Sequence, residues 1–345
     1  MQKTIDINEF IPLREHLPVL DVRSPSEFAS GHIPGAINLP LFNDAERADV
    51  GTLYKQSGRD AALLRGLDHA GKKLSFYVGQ AVKMAPKKQV LMHCWRGGMR
   101  SGAMAWLLSL AGFTVQVLEG GYQSYRRHIT GYWKTPARLL VVSGKTGSGK
   151  TPILHHLRQE GEQVLDLEYH ARHKGSAFGA LGQGPQPSTE QFENELADTW
   201  ATLDLSRPIW TEDESRSIGK VFIPEALHQN MQKSPTACLD VPEEARIRHL
   251  VNEYAGYPKD QLIGGIDRIA RKLGGLRTRE AIEAIEEGNF YSAIGIVLHY
   301  YDKAYTYDLT RKDPDLLVHL PAPTADAAKN AATLKAWSQT LSTSP

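Results

Sequence analysis

LLVVSGKTGSGKT, residues 139–151, sets an unbroken apolar run directly before a glycine-rich loop that fits G-x-x-x-x-G-K-[ST] without a gap. Leu139 to Val142 reads as a buried strand, and Pro152 to Arg158 opens a helix behind the loop. Proline is tolerated there because N–H groups of a first helical turn have no helical partner. Such a strand, loop and helix form a phosphate cradle. Backbone N–H groups of Gly144, Lys145, Thr146, Gly147, Ser148 and Gly149 surround the oxygens, Lys150 supplies a point charge, and Thr151 offers a hydroxyl to Mg²⁺. For the acidic partner of the metal, Asp213 in PIWTEDES (208–215) follows a short apolar strand and is the first candidate. Asp166 in QVLDLE (163–168) is the second. Either also fits a solvated strand-end carboxylate. Arg216 lies near the same edge, to meet a phosphate or RNA, or to pair with Glu212 or Glu214.

Working outward, residues 17–22 (LPVLDV), 89–93 (QVLMH) and 114–118 (TVQVL) are short apolar runs between turn-type residues, the signature of buried strands. Between the last two, Ala103, Trp106, Leu107 and Leu110 recur at helical spacing, with Gly112 as the stop. Strands separated by helices imply parallel sheets covered on their faces. The chain is therefore expected to be α/β, with a parallel-sheet domain over residues 1–130 and a linker near 128–138. A P-loop NTPase-like α/β domain over 131–345 adds strands at 163–167, 208–210 and 237–241. From 243 the pattern turns mostly helical, and the tail holds one more helix.

With 345 residues, 41% hydrophobic and 23% charged, the chain suits two soluble domains. No apolar run reaches membrane-spanning length, and MQKTIDINEF lacks the basic-then-apolar pattern of a secretory signal, so the expected location is the cytoplasm, without membrane association. Two cysteines, Cys94 and Cys238, are too few for a disulfide framework and lack the close pairing expected of a zinc site, and a net charge of +1 means that any nucleic-acid affinity must come from local basic surface.

Cys94 falls at the carboxyl end of a predicted strand, ahead of Trp95, Arg96, Gly97, Gly98, Met99 and Arg100, with a helix from about Ser101. Ligand sites in open α/β sheets lie at this edge. A glycine-bearing loop feeding a helix N-terminus binds anions and lowers a thiol's pKa, and Arg96 and Arg100 add positive charge, so these three are the expected catalytic residues. Cys238 in TACLDV has no such loop and reads as core.

DVRSPSEFASGHIPGAINLP (21–40) with HCWRGGMRSG (93–102) resembles the rhodanese family over roughly residues 5–128. The resemblance implies that Cys94 carries sulfur or selenium covalently, and that Asp21, Arg23, His32 and Gly35 order the fold. One departure stands out. Rhodaneses are similar in having four residues between cysteine and arginine, whereas five separate Cys94 from Arg100, a spacing that also resembles dual-specificity phosphatases. A rhodanese-like domain joined to a P-loop domain, with LEGGYQSYRR (118–127) at the junction, resembles the tRNA 2-selenouridine synthase family. That resemblance implies replacement of sulfur by selenium at wobble 2-thiouridine of tRNA, with selenophosphate as donor and an S-geranyl intermediate made from geranyl diphosphate. It also implies contact with a selenophosphate-supplying enzyme. An apolar geranyl chain needs a greasy channel, which the helical C-terminal half is expected to line.

For the RNA, residues 261–279 hold Arg268, Arg271, Lys272, Arg277 and Arg279 against Asp267, with glycine pairs at 264–265 and 274–275 that allow close backbone approach. Tyr122, Tyr125, Arg126, Arg127 and His128 mix aromatic and basic groups suited to an unstacked base, while Tyr291, Tyr300, Tyr301 and Tyr305 fit helix packing better. The rival readings are a P-loop kinase or NTPase with an attached sulfurtransferase or phosphatase-like cysteine domain, with 243–248 (EEARIR) as a kinase-like lid, and a nucleotide-sensing binding module.

Overall fold

Short apolar strands alternating with helices build two separate parallel sheets. The computed structural model describes residues 2–342, and the chain divides into two units, Met1–Tyr132 and Trp133–Pro345.

In the first unit the strands are β1 (Gln2–Ile5), β2 (Val19–Asp21), β3 (Ile37–Asn38), β4 (Gln89–His93) and β5 (Thr114–Leu118). They lie in the order β1-β5-β4-β2-β3, all pairs parallel. Leu20, Val90, Met92 and Val115 from the sheet pack with Met104, Leu108 and Phe113 to form the core. The central strand β4 ends at the cysteine loop, and the helix Met99–Leu110 leads away from it. Two helices that the apolar pattern did not announce, Asp44–Gly71 and Leu74–Met84, fill the connection from β3 to β4, the first interrupted at Gly58. The helix Gly121–Tyr132 takes in the start of the expected linker.

In the second unit Trp133 is buried and meets Trp200 edge-on. Here β6 (Leu139–Ser143), β7 (Gln163–Val164), β8 (Ile209–Glu212), β11 (Thr236–Asp240) and β12 (Leu317–Pro321) form a parallel sheet in the order β12-β11-β6-β8-β7. Between β8 and β11 a small antiparallel hairpin joins β9 (Ser217–Ile218) to β10 (Val221–Phe222). Every residue of β6 is buried, as a strand flanked on both sides requires. Beyond β11 the helices Glu243–Tyr254, Lys259–Leu273, Gly275–Glu286 and Phe290–Leu309 close around their own core of Leu250, Ile266, Ile285, Val297 and Leu298. The chain then returns as β12 to the edge of the sheet and ends its described part in the helix Ala327–Ser342, which packs on the helix Lys150–Gln159. No helix among the described residues is long and apolar enough to cross a membrane.

Candidate functional site

Cys94 sits immediately after β4, almost wholly buried. Burial alone would push its thiol pKa up. The Ser101 hydroxyl, donating to Sγ at 3.3 Å, the Ser101 and Arg96 backbone N–H groups and the Arg100 charge together bring it below the ordinary value. Arg96 thus contributes through its main chain, its side chain being exposed. Arg100 is held by Glu27 at 2.5 Å. The loop is pressed against the end of β5: a Cβ on Gly121, which has φ +58°, would come within 2.4 Å of Cys94 O and Gly97 N. Behind it, buried Arg23 and Asp21 pair at 2.6 Å, and Arg23 also donates to Gly31 O at 2.7 Å.

The phosphate loop follows β6. Gly147 has φ +83°, and a Cβ there would strike Leu250. Lys150 Nζ reaches back to Gly144 O at 2.9 Å. Thr151 Oγ1 donates to Glu168 at 2.7 Å, not to Asp213. Asp213 is engaged elsewhere, by Ser143 Oγ at 2.5 Å and Lys312 Nζ at 2.7 Å. Asp166, the second candidate, is buried, pairs with His155 at 3.0 Å and caps the helix Leu167–Ala171, which replaces the end of the strand expected to run to residue 167. The carboxyls facing the loop are therefore Glu168 and Glu214. Burial, together with the neighbouring Glu168 charge, pushes Glu214 up to about 8; burial also raises Glu168, against the opposing pull of Lys150.

A cavity of about 600 Å³ opens at this loop. One end is formed by Thr146 to Thr151 with Glu168, Lys174 and Glu214. The rest of the lining is mostly apolar: His155, Ser176, His249, Asn252 and Glu253 also line it, but Phe178, Leu262, Ile266, Phe290, Ala293 and Val297 among others wall it with hydrocarbon, so the helical C-terminal half supplies a greasy lining that no segment of the sequence identified. A charged cradle at one end and hydrocarbon walls beyond it suit an amphiphile with an anionic head.

Residues 8–128 match a family model described as the rhodanese-like domain, and residues 137–325 match one described as the tRNA 2-selenouridine synthase AAA domain. A tRNA 2-selenouridine synthase of Nitrosomonas europaea is 32% identical, with 86% of this chain and 90% of that protein covered. That of Marinobacter nauticus is 34% identical, covering 88% and 91%, and that of Bordetella bronchiseptica is 33% identical, covering 86% and 89%. The chain belongs to the tRNA 2-selenouridine synthase family.

Within this family member, the surface residues expected to meet RNA separate into two groups. Arg271, Lys272, Arg277 and Arg279 are exposed on consecutive helices, whereas Arg268 donates to Ala177 O at 2.9 and 3.1 Å. The close approach at Gly265 is made by Phe178 of the same chain, not by a ligand: a Cβ would come within 2.4 Å of its ring. Tyr122 and Tyr125 are fully buried and stacked on each other, with the Arg23 guanidinium 4.0 Å from the Tyr122 ring, so they cannot receive a base. Arg127 is exposed and Arg126 half-buried on that helix. Tyr300 and Tyr301 pack against the helical core, and Tyr291 is about half exposed. Arg216 pairs with Glu225 and donates to Ile223 O, in place of the Glu212 or Glu214 partner that the sequence suggested.

Two contributors escaped sequence reasoning. Glu168 is one residue past the strand-end pattern that drew attention to Asp166. Arg246, read as part of a kinase-like lid, is buried, forms a forked pair with Asp302 at 2.7 and 2.8 Å and donates to Thr146 O at 3.1 Å, so it braces the phosphate loop from behind.

Proposed function

We propose that this chain replaces sulfur by selenium in wobble 2-thiouridine of tRNA, with selenophosphate as donor and an S-geranyl-2-thiouridine intermediate. The observation that carries the reading is the apolar cavity closing on a phosphate loop. Geranyl diphosphate has that division, a dianionic head on a hydrocarbon tail, whereas a nucleotide would place a polar base and ribose against Phe178 and Ile266.

The 2-thiouridine sulfur attacks C1 of the geranyl group, the C1–O bond breaks, and diphosphate leaves with the bonding pair. Lys150 and the N–H groups of the loop are positioned to take up that charge. Alkylation turns a poor leaving group into a thiolate that a selenium nucleophile can displace from C2. Cys94 releases that selenium: its thiolate, favoured by the lowered pKa, attacks the phosphorus of selenophosphate, and the S–P bond forms as the P–Se bond breaks. Selenide leaves to attack C2 and expel the geranyl thiolate, and water hydrolyses the S-phosphocysteine. Thr151 and Glu168 bring a hydroxyl and a carboxylate together beside the loop, the hard oxygen donors that suit Mg²⁺, which would neutralise diphosphate charge. The tRNA is held through phosphate contacts by Arg126, Arg127, Arg271, Lys272, Arg277 and Arg279, in the cytoplasm, with selenophosphate handed over by the enzyme that makes it.

The test is direct. Purified protein is incubated with 2-thiouridine tRNA, geranyl diphosphate and selenophosphate, and the digested nucleosides are identified by mass. Selenouridine should form with wild type, Lys150→Ala should stop geranylation, and Cys94→Ala should stop only the selenium step. Unchanged nucleosides together with ATP hydrolysis would instead support the kinase-like reading.

A further inference from the structure

β11 ends in Cys238, Leu239 and Asp240, and the two-residue period of a strand puts the first and last of these side chains on one face. His319 of β12 is the direct parallel neighbour of Cys238, so its imidazole arrives on the same face. His319 Nδ1 lies 3.0 and 3.1 Å from the two Asp240 oxygens, and Asp240 Oδ1 lies 3.8 Å from Cys238 Sγ. All three donor atoms fall within 4.8 Å of one another. We propose that Cys238, Asp240 and His319 form a zinc site at the carboxyl edge of the second sheet, distinct from both the cysteine loop and the phosphate loop.

Geometry and chemistry agree. Tetrahedral zinc with bonds of about 2.3 Å to sulfur and about 2.0 Å to oxygen and nitrogen holds S and O roughly 3.5 Å apart and N and O roughly 3.3 Å apart. The observed spacings differ from these by a few tenths of an ångström, within reach of side-chain rotation. One thiolate, one imidazole and one carboxylate is a zinc-type donor set, with a fourth position for water. Asp240 and His319 are half exposed, which gives the ion a path, while Cys238 is buried. Tyr305 Oη lies 3.2 Å from Sγ, where its proton can support a metal-bound thiolate. Burial raises the Cys238 pKa, so the thiol keeps its proton until the ion displaces it to solvent. The ion would fasten edge strand β12 to β11. Ala325, shortly beyond β12, abuts Gly149 of the phosphate loop, so the clip would also steady that wall.

Cobalt(II) is titrated into the full chain carrying Cys94→Ser, which leaves Cys238 as its one thiol. The expected result is a thiolate-to-cobalt charge-transfer band saturating at one ion per chain and bleached by zinc. Cys238→Ser should abolish the band, and His319→Gln, a substitution on an exposed edge strand that leaves the circular dichroism spectrum unchanged, should weaken affinity about tenfold or more. No band in the parent chain, a band surviving Cys238→Ser, or unaltered affinity in His319→Gln would overturn the site.

Discussion

With geranyl diphosphate as the proposed donor, the wall of the cavity would double as a ruler for the prenyl chain. Asp302, next to the cavity-lining Tyr301, lies 3.6 Å from Lys145, so this point of the helix Phe290–Leu309 marks the level of the phosphate loop. Counted from the cavity-lining Tyr301 at about 1.5 Å per residue, Val297 stands about 6 Å further along, Ala293 about 12 Å and Phe290 about 17 Å. An extended geranyl chain, at roughly 1.3 Å per bond, reaches about 10 Å from its diphosphate oxygen. On the proposed reading its last isoprene unit would end beside Ala293, a small buried residue that lines the cavity. Ala293→Phe fills that space. Excluding five carbons at about 0.8 kcal/mol each removes about 4 kcal/mol of burial, several hundredfold in kcat/KM for geranyl diphosphate. Dimethylallyl diphosphate, which stops short of this level, should keep its wild-type kcat/KM. The assay is transfer of each prenyl group to 2-thiouridine tRNA, read by nucleoside mass. Equal losses for the two donors would refute the ruler, because a folding defect or a damaged phosphate loop does not sense chain length.

Further outcomes follow from particular contacts. Ser101→Ala removes a hydroxyl donated to Cys94, so the pH midpoint of Cys94 alkylation by iodoacetamide should rise and its rate at neutral pH should fall severalfold. Arg246→Met leaves Asp302 without its forked partner, and urea denaturation should show a loss of about 3–5 kcal/mol. Glu214, raised from 4.5 to about 8, binds its proton more tightly folded than unfolded; its contribution to stability is present below about pH 4.5 and is lost as pH climbs toward 8. Glu214→Gln should flatten the fall of Tm across that window. Neutralising Arg271, Lys272, Arg277 and Arg279 singly should each reduce the salt slope of tRNA binding by somewhat less than one unit, with little dependence on RNA sequence.

How much of this was legible in the chain depended on how local the physics was. The loop of residues 144–151 and its flanking strand could be read because a phosphate cradle is made by one continuous segment, and the strands 89–93 and 114–118 because burial on both faces leaves unbroken apolar runs. β12 was missed: an edge strand has a single partner, and Leu317–Pro321 carries a histidine and a proline with mixed exposure. The helices of 44–84 were missed for a related reason, since Leu64, Leu67 and Phe76 are exposed and blur any apolar stripe.

The site divides along the same line. Cys94 and Lys150 were visible because each is defined by its neighbours in sequence, and neither Glu168 nor Arg246 could be, because each acquires its role from a residue brought to it by folding. Asp213 shows the converse error. It occupies the strand end where an acidic partner of the loop is sought, yet Lys312, 99 residues away, claims its carboxylate, and the hydroxyl of Thr151 turns to Glu168 instead. The tyrosines 122 and 125 fail for the same reason: composition recommends them for stacking on a base, but their rings are already committed to each other and to Arg23. A motif can nominate the residues that chemistry needs; it cannot show which of them the fold has spent on its own cohesion. The greasy channel is the limiting case, since its walls come from separate helices and each lining residue, taken singly, is an ordinary core position.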